Sequence, residues 1–151
     1  MNKMILGLLC LLTTCMIVQA KDVLSPGKWV IEQVTSEKNT DGTVRTTIYK
    51  SAANLQSHIP CPQELEIQET CIVLYYPDGW TESAEYTFKD DQLIIHLPTG
   101  DQTYKCDIKD DAITLTSNYK YANVDLSARS AKKTEYISEK RTIIFKFIKN
   151  P

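Results

Sequence analysis

Apolar residues fall on alternate positions over most of this chain. Leu65 and Ile67 alternate with Glu64, Glu66 and Gln68, Ile113 and Leu115 alternate with Thr114 and Thr116, and Ile143, Phe145 and Phe147 share a face. A period of two is the rhythm of a strand with one face buried and the other in water. Between these runs stand Asp41-Gly42, Pro77-Asp78-Gly79, Asp90-Asp91, Pro98-Thr99-Gly100-Asp101 and Asp110-Asp111. Such residues tolerate tight or left-handed backbone, so each is a turn signal. The pattern predicts strands at roughly 28–36, 43–50, 63–68, 71–76, 81–89, 92–98, 102–109, 112–119 and 136–148. Short strands spaced this evenly point to a sandwich or a barrel.

An internal echo supports a meander of neighbouring hairpins. Phe88-Lys89-Asp90-Asp91-Gln92-Leu93 is matched further on by Ile108-Lys109-Asp110-Asp111-Ala112-Ile113, each reading strand, acidic turn, strand. Paired aspartates also raise calcium as an alternative, but an Asp-Asp dipeptide lacks the spaced oxygen ligands and the glycine of a calcium loop. Two stretches break the rhythm. Residues 51–62 are polar and hold Pro60 and Pro62 around Cys61, and residues 121–135 lack apolar periodicity. Both read as loops, and as candidates for a rim around an opening.

The amino-terminal segment changes what is to be folded. Lys3 is followed by an apolar run from Ile5 and by Val18-Gln19-Ala20, which offers small side chains where signal peptidase cuts. Cleavage after Ala20 makes the chain exported, to the periplasm or outside the cell, with residues 21–151 as one domain. A lipoprotein reading competes, because Leu12-Thr13-Thr14-Cys15 resembles a lipobox with Cys15 as the lipidated residue. Thr14 is bulky for that role and the apolar run continues past Cys15. A membrane span is not expected, since the run is shorter than the roughly 20 residues a bilayer needs.

Charge narrows the partners. The chain has 17 Lys and Arg against 19 Asp and Glu, a net charge of -2, with no long run of either sign. Nucleic acid is not an expected partner, because phosphate binding needs a concentrated basic stripe. Three of the 5 cysteines lie beyond the signal segment: Cys61, Cys71 and Cys106. In an oxidising compartment, one disulfide with one thiol left over is the expected arithmetic, and spacing does not choose among the three pairings.

Nothing reaches the standard of a catalytic signature, and no enzyme, cofactor or metal is expected. There is no Cys-x-x-Cys pair, the only histidines are His58 and His96, and phosphate-binding glycine loops are absent. His58 and Cys61 are the one nucleophile-and-base suggestion, and a rigid proline turn with a disulfide half explains them more simply.

Gly27-Lys28-Trp29 in the first strand, the run of hairpins, and Lys140-Arg141 leading into a last hydrophobic strand carry a resemblance. Together they resemble the lipocalin and calycin barrels, in particular the short lipocalin-like proteins exported by Bacteroidetes-type bacteria. The resemblance implies an all-β fold: a single antiparallel up-and-down β-barrel of about eight or nine strands. It implies that Trp29 plugs the closed end and that Arg141, or else Lys140, covers its indole face, a structural contact of roughly 0.5–2 kcal/mol. A barrel of this kind would hold a small hydrophobic ligand, with Tyr76, Tyr86, Phe88, Ile95 and Phe145 turned inward and Trp80 at a hairpin tip near the opening. Ordinary core packing explains the inward residues equally, and a filled barrel would instead be an interaction module for another protein of the cell envelope.

Overall fold

The computed structural model describes residues 24–50, 61–124 and 134–148. The described residues are all-β, with nine strands: β1 (Gly27–Thr40), β2 (Thr43–Tyr49), β3 (Glu64–Ile67), β4 (Cys71–Tyr75), β5 (Thr81–Lys89), β6 (Gln92–Leu97), β7 (Gly100–Lys109), β8 (Ala112–Val124) and β9 (Thr134–Phe147). The sheet runs β2-β1-β3-β4-β5-β6-β7-β8-β9, and β9 also pairs with β1. That last pairing closes eight strands into an antiparallel barrel, and β2 is left as an extra strand on the upper half of β1. Among the described residues no helix is long and apolar enough to cross a membrane.

The turns fall where the aspartates and glycines are. Asp41 (φ 48°) and Gly42 (φ 83°) are both left-handed, which is the two-residue turn that matches the twist of a hairpin. Asp90 (φ 52°), Asp91 (φ 58°) and Asp110 (φ 51°) adopt the same region, which Asp tolerates better than most residues. The Asp pairs therefore have a sufficient structural role. At the β4–β5 turn the Gly79 N–H donates to the Tyr76 carbonyl at 3.1 Å, closing a turn with Pro77 in its favoured second position.

Inside, the alternating positions pack as one cluster. Leu65, Ile67, Ile72, Leu74, Leu93, Ile113, Leu115, Ile143 and Phe145 are buried in it, and Tyr76, Tyr86, Phe88 and Phe147 pack against it. Trp29 sits at the end of the barrel that also carries the Asp110-Asp111 turn. Its ring meets Phe147 edge-on at 4.9 Å, and its indole N–H is buried without a hydrogen-bond partner among the described residues. Gly27 (φ +139°) lies flat against the Phe147 ring, so a side chain there would collide as well as strain the backbone.

Three expectations need correction. Arg141 does not cover Trp29. The β1–β9 register sets Trp29 opposite Phe147 and Ser36 opposite Arg141. The six positions between Phe147 and Arg141 amount to on the order of 20 Å of strand.

The expected disulfide is also missing: Cys61, Cys71 and Cys106 are all free. Cys106 is on the inner face of β7, where its N–H donates to the Asp91 carbonyl at the Trp29 end of the barrel. Cys61 is buried towards the other end, near Arg141, and the inward pair Ile72 and Leu74 turns Cys71 to the outside of β4. Opposite ends of the barrel and opposite faces of its wall keep the three apart.

Finally, Tyr121–Val124 and Thr134–Glu135 are strand and not loop. They are the arms of a long β8–β9 hairpin, and β1 likewise runs four residues beyond its expected end. The remainder of that expected loop, and residues 51–60 with His58, lie outside the described residues.

Cysteine exposure gives a direct check. Burial pushes the Cys61 thiol up, against the lowering charge of Arg141, and burial with Asp91 and Asp107 pushes Cys106 up to about 12. Thiolate is the reactive form. Of these three, Cys71, half-exposed and hydrogen-bonded to Gln68 Oε1 at 3.1 Å, should be alkylated first in the native protein, with Cys61 and Cys106 following only on unfolding. Timed alkylation with peptide mass mapping reads the order, and early labelling of Cys106 would show that the core opens.

Candidate functional site

The strand directions put the β1–β2, β4–β5, β6–β7 and β8–β9 connections at the end opposite Trp29. Here β2, β1, β9 and β8 rise beyond the barrel as a flared sheet whose inner face continues the barrel wall. Cross-strand partners share a face, so the inner surface can be read in rungs. Tyr49, Val34, Ile143 and Leu115 form the last mainly apolar rung. Above it come Thr47, Ser36, Arg141 and Ser117, and then Arg45, Lys38, Glu139 and Tyr119. The next rung is Thr43, Thr40, Ile137 and Tyr121. Within two residues along each strand the interior changes from hydrocarbon to charge.

The change is organised around one carboxylate. Glu139 is 4% exposed, a depth at which a charge must be paired and hydrogen-bonded. Its Oε1 accepts from Ser36 Oγ at 2.8 Å and from Arg141 Nη2 at 3.0 Å and Nε at 3.2 Å, and its Oε2 accepts from the Tyr121 hydroxyl at 3.3 Å. Burial pushes the Glu139 carboxyl up, but the Ser36 and Arg141 hydrogen bonds and the charges of Arg141 and Lys38 outweigh it, and the net shift is downward. The Arg141 guanidinium also lies 4.9 Å from the centre of the Tyr119 ring, in cation–π range. Arg141 thus covers an aromatic face, but that of Tyr119 at the open end.

Two more groups face this layer. Ser117 Oγ is buried without a partner among the described residues. The Tyr104 hydroxyl donates to Gln102 Oε1 at 2.7 Å, and burial, with Tyr119 and Tyr76 nearby, pushes it well above the usual phenol range.

Next to this layer is a cleft of about 530 Å³, lined by Ser36, Lys38, Thr40, Asp41, Thr43, Arg45, Thr47, Tyr49 and Glu135. Lys38 and Arg45 are direct cross-strand partners in it. Like charges directly opposite are unfavourable. The carboxylates that line the cleft lie further out, Asp41 in the hairpin turn and Glu135 beyond the Ile137 rung, while Glu139, the partner of Lys38 on β9, stands beside the pair and is already committed to Arg141.

The residues expected to bind ligand are divided by the structure. Tyr76 borders the mouth, near Cys61 and Glu82. Trp80 is 64% exposed in the β4–β5 turn at the same end. Ile95 and Phe145 are sealed in the core. Tyr86 donates to the Gln68 carbonyl at 3.1 Å and Phe88 pairs with Leu93, so both face the closed half of the barrel. Lys38, Arg45, Ser36 and Glu139 were not singled out by sequence reasoning. Their one signal was the loss of apolar alternation after Val34 and before Ile143.

A second polar alignment lies on the outer surface. The Thr87 hydroxyl is 3.0 Å from His96 Nε2, and His96 Nδ1 is 3.0 Å from Asp101 Oδ1. The order is that of a nucleophile, a base and an orienting acid. Acyl transfer also needs backbone N–H groups aimed at a developing oxyanion. The β6 backbone around His96 is committed to the β5 and β7 ladders, whereas β5 beyond Glu85, which carries Thr87, has no described partner on its β4 side. The alignment holds the His96 ring in place on an exposed sheet face.

Among the described residues no group of three His, Cys, Asp or Glu side chains is placed to hold a metal ion. Comparison with protein-family models, with curated proteins and with solved structures gives no match to this chain.

Proposed function

We propose that this is a non-enzymatic binding protein that takes a small amphipathic anion at the mouth of its barrel. The observation that carries the reading is the excess of cations at the mouth: Lys38, Arg45 and Arg141 share two adjacent rungs with one carboxylate, Glu139, and Lys38 and Arg45 stand directly opposite each other, an arrangement that an anionic group between them would relieve. The hydroxyls of Ser36, Thr40, Thr43 and Thr47 line the same cleft and add hydrogen-bonding capacity. One rung further out, Ile137 and half-exposed Tyr121 continue the inner face and offer a surface for an apolar tail. The cluster of buried apolar side chains below favours the mouth as the position for a charged group. Export, drawn from the amino-terminal apolar run, and the resemblance to lipocalin-like barrels fit a carrier or sensor outside the cytoplasm.

Thermal unfolding with decanoate and with decanol as probes tests the proposal, because a ligand that binds only the folded state raises Tm by mass action. Decanoate should raise Tm in a dose-dependent way, decanol should not, and the double substitution Lys38→Met with Arg45→Met should abolish the shift. Equal stabilisation by both probes would move the ligand into the apolar barrel. No shift with either would favour the second reading, an interaction module that presents exposed Trp80 and the rim to a protein of the cell envelope.

A further inference from the structure

β2 is hydrogen-bonded to β1 and to no other described strand. Edge strands usually carry protection against pairing, such as proline, a bulge or outward charge. β2 reads Thr43-Val44-Arg45-Thr46-Thr47-Ile48-Tyr49, and its one charged side chain, Arg45, shares the inner face with Lys38 and lines the mouth cleft. The outer face carries Val44, Thr46 and Ile48, with Val44 61% and Ile48 54% exposed.

Backbone geometry fixes which groups remain unspent. The Asp41-Gly42 turn joins Thr40 to Thr43, and a two-residue hairpin closes on a hydrogen-bonded pair. In an antiparallel ladder such pairs alternate with non-bonded ones. Thr43, Arg45, Thr47 and Tyr49 therefore direct their N–H and C=O groups to β1. Val44, Thr46 and Ile48 direct theirs to the edge that no described strand occupies.

We propose that a second copy of this chain occupies that edge, with β2 pairing antiparallel to its counterpart about a two-fold axis through Thr46. The segment is close to self-complementary about that residue. Val44 meets Ile48 of the partner subunit, Ile48 meets the partner's Val44, and Thr46 meets the partner's Thr46. All three pairs involve the residues whose backbone groups face outward, so each exchanges both of its hydrogen bonds. The exposed aliphatic side chains meet across the junction on one face, as favourable cross-strand pairs do. On the other face Arg45 lies opposite the partner's Thr47, so no like charges are brought together. Isologous two-fold pairing uses the same β2 edge of both copies and so closes on itself as a dimer. The two flared sheets become one continuous sheet, with a mouth cleft on either side of the axis.

Sedimentation of the chain, as processed by the cell that exports it, tests the pairing. The expected result is a reversible, concentration-dependent dimer. Thr46→Pro removes the N–H aimed at the open edge without touching the β1 ladder, so it should give a monomer with an unchanged near-ultraviolet circular dichroism spectrum. Val44→Lys with Ile48→Lys should also give a monomer, whereas Val44→Lys with Ile48→Glu should restore a dimer that salt weakens. A monomer at every concentration overturns the proposal, and so does a dimer that both the proline and the double-lysine variants leave intact.

Discussion

Replacing Arg141 by Met is expected to destabilise the protein by about 3 kcal/mol at neutral pH. Removing one partner of a buried ion pair costs about 3–5 kcal/mol, because the remaining charge is left without compensation. The lower figure applies because the Arg141 side chain is still 16% exposed and water screens part of its interaction. The carboxylate left behind would keep Ser36 Oγ and the Tyr121 hydroxyl but lose both guanidinium contacts. In the intact protein the Glu139 carboxyl titrates below its usual 4.5. A group whose folded value is depressed contributes stability above its unfolded value, and that stability disappears as pH falls through the folded value. The variant reverses the balance, since burial now acts with less opposition and favours the neutral acid. Its deficit should therefore be largest at pH 7, begin to shrink already above 4.5 as pH falls through the raised value of the variant's carboxyl, and shrink further below 4.5 as the intact protein loses its own contribution. Adding Glu139→Gln to Arg141→Met should recover a large part of the loss, because no buried charge is then stranded. Urea titrations at neutral and acid pH measure all three quantities. A deficit below about 1 kcal/mol at pH 7 would mean that the pair behaves as a surface ion pair.

Phe145→Ala should cost about 3–5 kcal/mol, the range for removing a buried aromatic ring from a packed core. Phe145 is 0% exposed, and on the inner wall it lies between Ile31 of β1 and Ile113 of β8. It thus stands at the β8–β9–β1 junction that closes the barrel. The cavity would open in the seam, where neighbouring strands have few ways to collapse into it. The denaturant midpoint should fall with little change in slope, as the surface exposed on unfolding stays nearly the same. A loss below about 1 kcal/mol would place the side chain outside the core.

Which parts of this structure were legible in the chain follows from where the hydrocarbon lies. Leu65 with Ile67, Ile113 with Leu115, and Ile143 with Phe145 announce inward faces because their neighbours are polar and every second position is buried. The acidic turns announce themselves through residues that accept left-handed backbone. The flared half of β1, β8 and β9 carries no such signal, because its inner face is Ser36, Lys38, Glu139, Arg141 and Ser117. Polar residues on both faces of a strand leave no alternation to read. The cation–aromatic contact of Arg141 was legible in kind and misplaced in position, since sequence spacing says nothing about the register that sets Ser36 and not Trp29 opposite it. Pairing of the cysteines was argued from compartment chemistry, and the geometry that keeps them apart depends on which side of each strand faces the core.

One irregularity joins the two halves of the first strand. The β1–β9 register shifts between Ile31 and Gln33, so Glu32 is an extra residue without a counterpart. Such a bulge inverts the phase of everything that follows it. Before it the odd positions Trp29 and Ile31 are matched with Phe147 and Phe145, and after it the even positions Val34 and Ser36 are matched with Ile143 and Arg141. The tolerance of β1 to substitution should therefore change parity at one residue: even numbers are the permissive ones below Glu32 and odd numbers above it. A single inserted amino acid lets one continuous strand obey two opposite rules, one for sealing an interior and one for dressing an opening.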